Sequence, residues 1–386
     1  MQPHICLVVS SPFTLNAFLG GHLDALGRIY RVTVIANLED ETIAPQVPAG
    51  CELLSIRIKR EIAIGHDLAA LWVLWRLFWR SDFDCVHSIS PKAGLLTMLA
   101  GKAAGVKVRL HTFTGQVWAT RRGASRVMLK CLDRLLAACA TNVFADSTSQ
   151  SNYLVSQGVV RAGKISVLGA GSISGVDTAR FRPDATARAN VRAGLGIDER
   201  SPVLIYVGRM KREKGIVELR HAFRKIRANF PEAHLVLVGP DEDQLLAPAD
   251  AMRDTHVHVV GYTTHVERYM AAADLLCLPS HREGFGSVII EAAACGIPAV
   301  ASRIYGLTDA IVDGETGLLH PKGDPDALYD VIAHLLAKPA AMARMAQAAR
   351  SRALRDFSAS EIVGAWVAFY RKHISDVKPV KRPVAG

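Results

Sequence analysis

HREGFGSVIIEAAACGIPAVASRIYGLTDAIVDGETG, residues His281–Gly317, is the most informative stretch of the chain. Its pattern predicts a turn, a short helix over Ser287–Ala294, a Gly-Ile-Pro break and a compact apolar strand over Ala299–Ser302. Gly286 leaves room for a ligand to approach the backbone closely. Because the first amides of the following helix are unpaired donors at the positive end of its dipole, they favour phosphate.

Two carboxylates flank this anion-binding helix start. Glu283 precedes the helix, and Glu291 lies in its second turn, eight positions later. A carboxylate repels phosphate, but it accepts hydrogen bonds from sugar hydroxyls. The combination therefore indicates a sugar nucleotide. The alternative is a surface helix with solvated glutamates, and the glycine turn and the Gly-Ile-Pro break on either side of the helix favour the site.

Composition places the chain among α/β proteins with more than one domain. Its 386 residues exceed one ordinary core, so two domains are expected. Half of the residues are apolar and only 6% are aromatic. Seven scattered cysteines without CxxC spacing indicate reduced thiols in the cytosol. The N-terminus predicts a first strand rather than a signal peptide, and no apolar segment is long enough to span a bilayer.

The positive charge is unevenly distributed. Residues 1–180 contain 19 Lys and Arg against 12 Asp and Glu, whereas the rest of the chain contains 27 against 24. The basic excess of the second half comes from residues 371–386. Such asymmetry indicates an anionic partner, either nucleic acid or anionic lipid.

Strands and helices alternate along both halves, as in parallel α/β sheets. The glycine-rich segment Gly169–Gly175 is a weak match to a dinucleotide fingerprint, because no helix with a suitably spaced acidic residue follows it. We interpret it as the start of a linker between two domains that runs through about Arg200.

A tryptophan-rich helix is predicted over Asp67–Arg80. Trp72, Trp75 and Trp79 share one stripe at helical spacing, with arginines beside them. The stripe suits an interfacial membrane helix. It equally suits a helix that packs on the sheet of a large core, and the sequence does not separate the two hypotheses.

Two further features of the first half suggest binding. His111 ends a strand predicted over Lys107–His111, and the carboxyl ends of parallel strands are where ligands bind in doubly wound sheets. A buried structural histidine is the alternative. A loop and an amphipathic helix then carry a basic face that suits lipid phosphates, a diphosphate acceptor or solvent. Its residues are Arg121, Arg122, Arg126, Lys130 and Arg134.

The loop after the predicted strand Val203–Val207 has the features of a phosphate site. Arg209 offers a planar fork for a diphosphate, and Lys214 adds a point charge near the entry of the next helix. Exposed surface cations are the alternative, and the residue order is not that of a P-loop. The acidic triplet Asp241–Asp243 has no further ligands nearby in sequence, which indicates a solvated loop rather than a metal site.

Five separated motifs occur in order along the chain. They are Gly208-Arg209 to Lys214-Gly215, Gly261 before Asp274, Glu283-Gly284-Phe285-Gly286 to Glu291, Gly296-Ile297-Pro298 and Asp313-Gly314-Glu315-Thr316-Gly317. Together they resemble the retaining glycosyltransferases of the GT4 family. The first half, through His111–Trp118 and Gly171–Asp177, is similar to the subgroup that builds capsule, O-antigen and exopolysaccharide repeat units.

The resemblance implies a GT-B fold, in which two Rossmann-like, doubly wound α/β domains face a cleft and the last helix crosses back to the first domain. We place the acceptor-side domain at residues 1–185, with the crossing helix at 362–386. The nucleotide-sugar-binding domain is placed at residues 186–361.

The family's site residues carry over by matching position. The resemblance implies that His111 lies near the anomeric centre and that Glu283 binds the transferred sugar without acting as a covalent nucleophile. It also implies that Arg209 and Lys214 hold the donor diphosphate and that Glu291 takes the ribose. The other implied donor-binding residues are Gly20 and Gly21 in an N-terminal glycine loop, and Phe285, Gly286 and Ser287 through their backbone amides.

The implied activity is retaining transfer of a sugar from a nucleotide donor, UDP by family expectation, with neither metal nor cofactor. A polyprenyl-diphosphate-linked saccharide acceptor accounts for the basic first half. It places the protein in the cytoplasm, at the anionic inner face of the plasma membrane. A soluble acceptor and a sugar-nucleotide epimerase of the same architecture are the alternatives. Nucleic acid is not expected, because no stacking aromatics interleave with the basic residues near 121–134.

Overall fold

The protein divides into two units, each with its own sheet. The structure, a computed structural model, describes residues 2–39, 44–59, 63–246 and 255–374. The first unit comprises the described residues up to Ser174 and those from Ser360 onward, and the second unit runs over Gly175–Ala359. The boundary that we predict from sequence, between 185 and 186, lies further along the chain.

The first unit contains a seven-stranded parallel sheet in the order β3-β2-β1-β4-β5-β6-β7. Its strands are β1 His4–Val8, β2 Arg31–Ala36, β3 Cys51–Ser55, β4 Cys85–Ile89, β5 Val108–Phe113, β6 Asn142–Ala145 and β7 Ile165–Ser166. Its described α-helices span Pro12–Phe18, Gly20–Gly27, Ile64–Arg80, Pro91–Ala103, Gly123–Cys139, Thr148–Ser156 and Ala359–Ile374. β1 and β4 are buried along their whole length, as expected for parallel strands covered by helices on both faces.

The second unit contains a six-stranded parallel sheet in the order β10-β9-β8-β11-β12-β13. Its strands are β8 Val203–Val207, β9 His234–Val238, β10 Val257–Gly261, β11 Leu275–Leu278, β12 Ala299–Ser302 and β13 Gly317–His320. Its described α-helices span Ala185–Leu195, Ile216–Asn229, Val266–Ala272, Ser287–Ala294, Leu307–Ala310, Pro325–Leu336 and Pro339–Asp356.

The strand order reverses once in each sheet, between β1 and β4 in the first unit and between β8 and β11 in the second. The doubly wound α/β prediction is therefore confirmed. In open sheets of this kind, ligands bind outside the carboxyl ends of the strands at the reversal. A ligand site in the second unit is therefore expected at the loops that follow β8 and β11.

The last described helix, Ala359–Ile374, packs on the sheet of the first unit. One of its faces is buried in four-residue steps, at Ile362, Trp366, Tyr370 and Ile374. These side chains join the core that contains Ile5 of β1 and Val32 of β2. The Tyr370 hydroxyl also contacts Nδ1 of His87 on β4. The helix predicted to return to the first domain is present, and the part of that prediction over 375–386 lies outside the described residues.

Two local predictions were wrong. Gly20 and Gly21 begin the helix Gly20–Gly27 rather than lying in a loop, because the residues before them form a helix of their own, Pro12–Phe18, with Ser11 as its N-cap. The predicted linker is also partly helical. Asp184 caps the helix Ala185–Leu195 by accepting a hydrogen bond from a backbone amide in its first turn.

The tryptophans of the helix Ile64–Arg80 do not share one buried stripe, because Trp75 packs partly buried against the core whereas Trp72 and Trp79 are exposed. Trp72 and Trp79 are 53% and 49% exposed. The buried side chains of this helix are Ala70, Leu74 and Phe78. The helix therefore packs on the core, as the second hypothesis expects, but Trp72 and Trp79 are not among the residues that it buries. No helix in the described part of the chain is long and apolar enough to cross a bilayer.

Candidate functional site

Two loops meet at the point where the strand order of the second unit reverses. The β8 loop, residues Gly208–Gly215, follows β8, and the β11 loop, residues Pro279–Gly286, follows β11. Gly215 has a φ of +74°, and a Cβ built there would overlap the carbonyl oxygen of Pro279. The two loops therefore pack backbone against backbone, and only glycine fits at their closest approach.

Ion pairs hold the same two loops together. Lys214 Nζ lies 2.5 Å from Glu283 Oε1, which also accepts a 2.9 Å hydrogen bond from the hydroxyl of Ser280. Arg282 Nη2 lies 2.9 Å from Glu213 Oε1. Burial raises the pKa of Glu213, but the positive charges of Arg282 and Lys214 outweigh burial and hold that pKa below its ordinary value. Two predicted site residues, Lys214 and Glu283, are thus in direct contact.

Arg209 lies at the same edge of the sheet. Its carbonyl oxygen accepts a 2.9 Å hydrogen bond from the hydroxyl of Tyr206 on β8. Burial raises the pKa of Tyr206, the negative charge of Glu283 raises it further, and the positive charge of Arg209 opposes the shift. Arg209 and Lys214 belong to one loop, and Lys214 contacts Glu283 directly. The structure therefore brings one predicted cation, Lys214, together with the predicted sugar-binding carboxylate.

The acidic triplet after β9 is exposed at Glu242 and Asp243, as the solvated-loop prediction expects, but all three carboxylates also have partners in the protein. Glu242 Oε2 lies 2.7 Å from Lys211 Nζ and 3.4 Å from Arg209 Nη1. Asp241 accepts hydrogen bonds from two backbone amides that follow it, and Asp243 accepts one from the backbone of the β8 loop. The triplet therefore fixes the β8 loop and partly neutralises it. Within the described residues, no three His, Cys, Asp or Glu side chains are grouped so as to hold a metal ion.

Both loops lead into helices whose N-caps have no capping side chain. Gly215 precedes the helix Ile216–Asn229, and Gly286 precedes the helix Ser287–Ala294. By contrast, the side chain of Asp324 caps the helix that follows it further along the same unit. Glycine at the cap leaves the first backbone amides open to an acceptor from outside, which favours an anion at this edge.

The space beside Gly286 is filled by the protein itself. A Cβ built at Gly286 would lie 2.5 Å from Leu307 Cδ2. The expectation that Gly286 leaves room for a ligand is therefore wrong for the direction in which a side chain would point, because Leu307 occupies that space. Phe285 is buried, with its ring centroid 5.2 Å from that of Phe357, so its side chain belongs to the core. The donor contacts of Phe285, Gly286 and Ser287 through their backbone amides stay predictions.

Glu291 is a partly buried carboxylate in the helix Ser287–Ala294. Burial raises its pKa to about 7, against the opposing charge of Arg180. Within the described residues its side chain makes no hydrogen bond or ion pair. A carboxylate in this position can accept hydrogen bonds from hydroxyl groups. Glu291 is therefore available for the predicted ribose contact.

His111 belongs to the first unit and lies on β5. Its Nδ1 lies 2.9 Å from Ser88 Oγ on β4, whereas its buried Nε2 has no partner among the described residues. Burial lowers its pKa to about 3, so the imidazole is neutral. A Cβ built at Gly94 would overlap the ring, so Gly94 supports it from the neighbouring helix. Complete burial agrees with the structural alternative, and the unpartnered Nε2 agrees with the predicted sugar contact.

Gly20 and Gly21 lie at the start of the helix Gly20–Gly27 in the first unit, which also has no capping side chain. A Cβ built at Gly20 would have no atom within 4 Å. The surroundings of Gly20 are therefore open, and the predicted donor contact would come from a helix start rather than from a loop.

Sequence reasoning missed the residues that position the site. They are Tyr206, Glu213, Glu242, Ser280 and Arg282. One signal was available, because the runs Arg-Glu-Lys in the β8 loop and His-Arg-Glu in the β11 loop carry complementary charges. Two loops predicted at one edge of a sheet can pair such charges.

We predict that Gly215→Ala lowers the free energy of unfolding by roughly 3 kcal/mol, because the new Cβ would meet the Pro279 carbonyl and strain a positive φ. Gly314→Ala is the matched control. Its φ is +82° with open space around its Cβ, so it isolates the backbone strain at about 1 kcal/mol. Urea denaturation measures both losses. Equal losses would show that the two loops do not depend on glycine at 215.

Both units match known families. Residues 19–171 match the family described as "Glycosyl transferase 4-like domain". Residues 187–352 match the family described as "Glycosyl transferases group 1".

Individual relatives agree with these matches. The chain is 29% identical over 312 residues to the capsular polysaccharide biosynthesis glycosyltransferase CapM of Staphylococcus aureus. The aligned residues cover 80% of this chain and 81% of the relative. It is 26% identical over 302 residues to the UDP-Gal:alpha-D-GlcNAc-diphosphoundecaprenol alpha-1,3-galactosyltransferase of Escherichia coli, over 76% of this chain and 75% of the relative.

Among solved structures, the fold matches the sucrose-phosphate synthase of Thermosynechococcus elongatus with a TM-score of 0.78, at 23% identity, over 97% of this chain and 100% of that chain. The two family matches cover both units, and the two parallel sheets have the matching architecture. This chain is therefore a glycosyltransferase that belongs to the GT4 family and has the GT-B fold.

Proposed function

We propose that the enzyme transfers a sugar from a UDP-sugar to a polyprenyl-diphosphate-linked saccharide, with retention of configuration. The observation that carries the proposal is the 2.5 Å contact between Lys214 and Glu283 at the start of two uncapped helices. A cation beside a carboxylate at such a point suits a ligand that carries both a diphosphate and sugar hydroxyls.

The chemistry of the reaction fits these groups. Breaking the bond between sugar and phosphate develops negative charge on the leaving diphosphate and positive charge on the sugar ring. Arg209, Lys214 and the first amides of the helix Ser287–Ala294 stabilise the leaving diphosphate. Because these groups supply the positive charge, we propose that transfer needs neither a metal nor a cofactor.

Glu283 binds the transferred sugar through its hydroxyls. Its Oε1 is already held by Lys214 and Ser280, so it acts as a fixed hydrogen-bond acceptor rather than as a covalent nucleophile. The departing phosphate takes the proton of the acceptor hydroxyl on the same face of the sugar, and this accounts for retention. Glu291 binds the ribose, and His111, whose imidazole is neutral, takes the role near the transferred sugar that the family resemblance implies.

The acceptor is proposed from chemistry and from relatives. The printed name of the Escherichia coli relative specifies UDP-galactose and a diphosphoundecaprenol-linked sugar, and that of the Staphylococcus aureus relative specifies capsular polysaccharide. Residues 1–180 of this chain have an excess of basic residues, which suits a membrane-borne diphosphate. We place the enzyme on the cytoplasmic side of the plasma membrane, with no nucleic-acid partner.

A donor panel tests the proposed function. UDP-sugars and GDP-sugars are each incubated with a polyprenyl-diphosphate-linked acceptor, with and without a chelator, and released nucleotide and the anomeric configuration of the product are measured. We expect a UDP-sugar to be used, with retained configuration and no effect of the chelator. Formation of an epimer without acceptor would identify an epimerase, and transfer only to a water-soluble acceptor would contradict the lipid-linked acceptor.

Removing the two cations should slow the chemical step. We expect Arg209→Ala combined with Lys214→Met to lower kcat by about 100-fold to 1000-fold, since both residues stabilise the leaving diphosphate. Lys211→Met is the matched control, because Lys211 lies on the same loop and pairs with Glu242 but has no assigned donor contact. Its kcat should change only a few-fold. A double variant with the kcat of the parent would contradict this account of the leaving group.

UDP binding should depend on pH through Glu291. The raised pKa, about 7, means that Glu291 is increasingly protonated below pH 7 in the free enzyme, whereas ribose hydroxyls donate best to the ionised form. UDP affinity should therefore fall by up to about tenfold per pH unit below this value. Glu291→Gln should lose this component and keep only the titration of UDP itself. If UDP affinity depended on pH in the same way for the parent and the variant, Glu291 would not be a ribose-binding residue.

The same shift has the opposite effect on stability. A carboxyl whose pKa is raised on folding stabilises the folded state fully only below the pKa of the unfolded chain, and this contribution is lost as pH rises through about 7. Thermal denaturation of parent and Glu291→Gln across this range, without nucleotide, provides an independent check of the shift.

A further inference from the structure

The first unit exposes large apolar side chains on two of its helices. Of the thirteen large apolar side chains that the described residues expose, eight lie on the helices Ile64–Arg80 and Gly123–Cys139. The first helix contributes Ile64, Leu68, Trp72, Val73 and Trp79. The second helix contributes Val127, Met128 and Leu135. Scattered exposed apolar residues are normal, but a concentration of this kind marks an interaction surface.

The two helices belong to one layer of the unit. Both pack against the helix Pro91–Ala103, which itself lies against β4 and β5. In each helix, the side that is buried in the unit differs from the side that carries the exposed apolar residues. Leu74 and Leu136 are examples of the buried positions. The exposed apolar residues therefore occupy the sides that the protein core does not use. We call this surface, formed by the exposed residues of the two helices, the outer face.

The charge on the outer face is positive. Arg76 and Arg80 are exposed on the first helix, and Arg76 lies over the ring of Trp72, with its guanidinium carbon 5.2 Å from the ring centroid. The carboxylates of the two helices are occupied. Asp67 pairs with Lys92 at 2.6 Å, and Asp133 is buried and accepts a 2.7 Å hydrogen bond from a tryptophan N–H. The outer face thus combines apolar groups and arginines without an exposed carboxylate.

We propose that the outer face docks on an anionic lipid bilayer. Tryptophan and arginine suit the boundary between headgroups and acyl chains, because each has an apolar body and a polar end. A second copy of this chain is a poorer occupant, since a two-fold contact would bring arginines of the same face together. Nucleic acid would leave the aliphatic side chains without a partner. A membrane-docking surface accords with the lipid-linked acceptor proposed above. The docking proposal itself is argued only from residues of the first unit.

Vesicle flotation tests the proposal on the full chain, with neither donor nor acceptor present. The vesicles contain phosphatidylglycerol and phosphatidylcholine in equal parts, or phosphatidylcholine alone. We expect the parent to float with the anionic vesicles. Trp72→Ser with Trp79→Ser should abolish flotation, and Arg76→Gln with Arg80→Gln should weaken it on the order of tenfold. The arginine contribution should shrink at high salt, whereas the tryptophan contribution should persist.

A matched control comes from the second unit. Leu354 and Arg344 are exposed on the helix Pro339–Asp356, so Leu354→Ser with Arg344→Gln removes the same kinds of group from another surface. This variant should float like the parent. A second measurement uses brominated lipids, which should quench the fluorescence of the parent, because Trp72 and Trp79 are exposed whereas Trp118 and Trp366 are buried.

Each outcome separates this proposal from the proposed function. Flotation of the Trp72→Ser, Trp79→Ser variant at the level of the parent, or failure of the parent to float, would overturn the docking surface. Concentration-dependent dimers that these substitutions abolish would assign the face to a second copy instead. Transfer to a detergent-dispersed lipid acceptor should be retained by the tryptophan variant if it folds, so loss of membrane binding with intact transfer supports docking and leaves the catalytic proposal untouched.

Discussion

The contact between the β8 loop and the β11 loop is the constraint on which the site depends. Glycine at 215 lets the backbone of one loop rest on the Pro279 carbonyl of the other, and this brings Lys214 within 2.5 Å of Glu283. Both side chains are mostly buried, so their pairing is screened less than that of a surface ion pair. Groups fixed in this way need little reorganisation when charge develops on a leaving group. Their fixed position, rather than their number, separates them from ordinary surface cations.

The cations of the site already have carboxylate partners. Arg209 faces Glu242 and Lys214 faces Glu283. In the proposed reaction, an incoming diphosphate therefore competes with protein carboxylates and does not meet bare charges. In the absence of donor the carboxylates keep the loops ordered and limit repulsion among the cations. In that proposal, the free energy gained on binding is the difference between pairing the cations with the diphosphate and pairing them with the carboxylates, which suits a nucleotide that must also leave after transfer.

The regular elements around the site could be predicted from sequence, because they rest on local patterns. The helix Ser287–Ala294 and the strand Ala299–Ser302 have the predicted bounds, and the class of enzyme follows from the order of the glycine and glutamate motifs. What could not be predicted depends on contacts between distant segments. Leu307 fills the space beside Gly286, and Glu242 pairs with Lys211 of the β8 loop, 31 residues earlier in the chain. The buried side of the tryptophan-containing helix Ile64–Arg80 could not be predicted for another reason. Its spacing is compatible with more than one buried side, and only packing selects Leu74 over Trp72.

The helix Ala359–Ile374 has a consequence for the order in which the protein is completed during synthesis. It supplies buried side chains, Trp366 among them, to a core whose other buried members lie between Ile5 and Ile173. The second unit is continuous in sequence, so all of its residues have left the ribosome while the first unit still lacks one of its helices. Until the helix Ala359–Ile374 has been translated, the apolar surface that it covers in the first unit therefore stays exposed. The enzyme's first unit to be translated is the last to be finished.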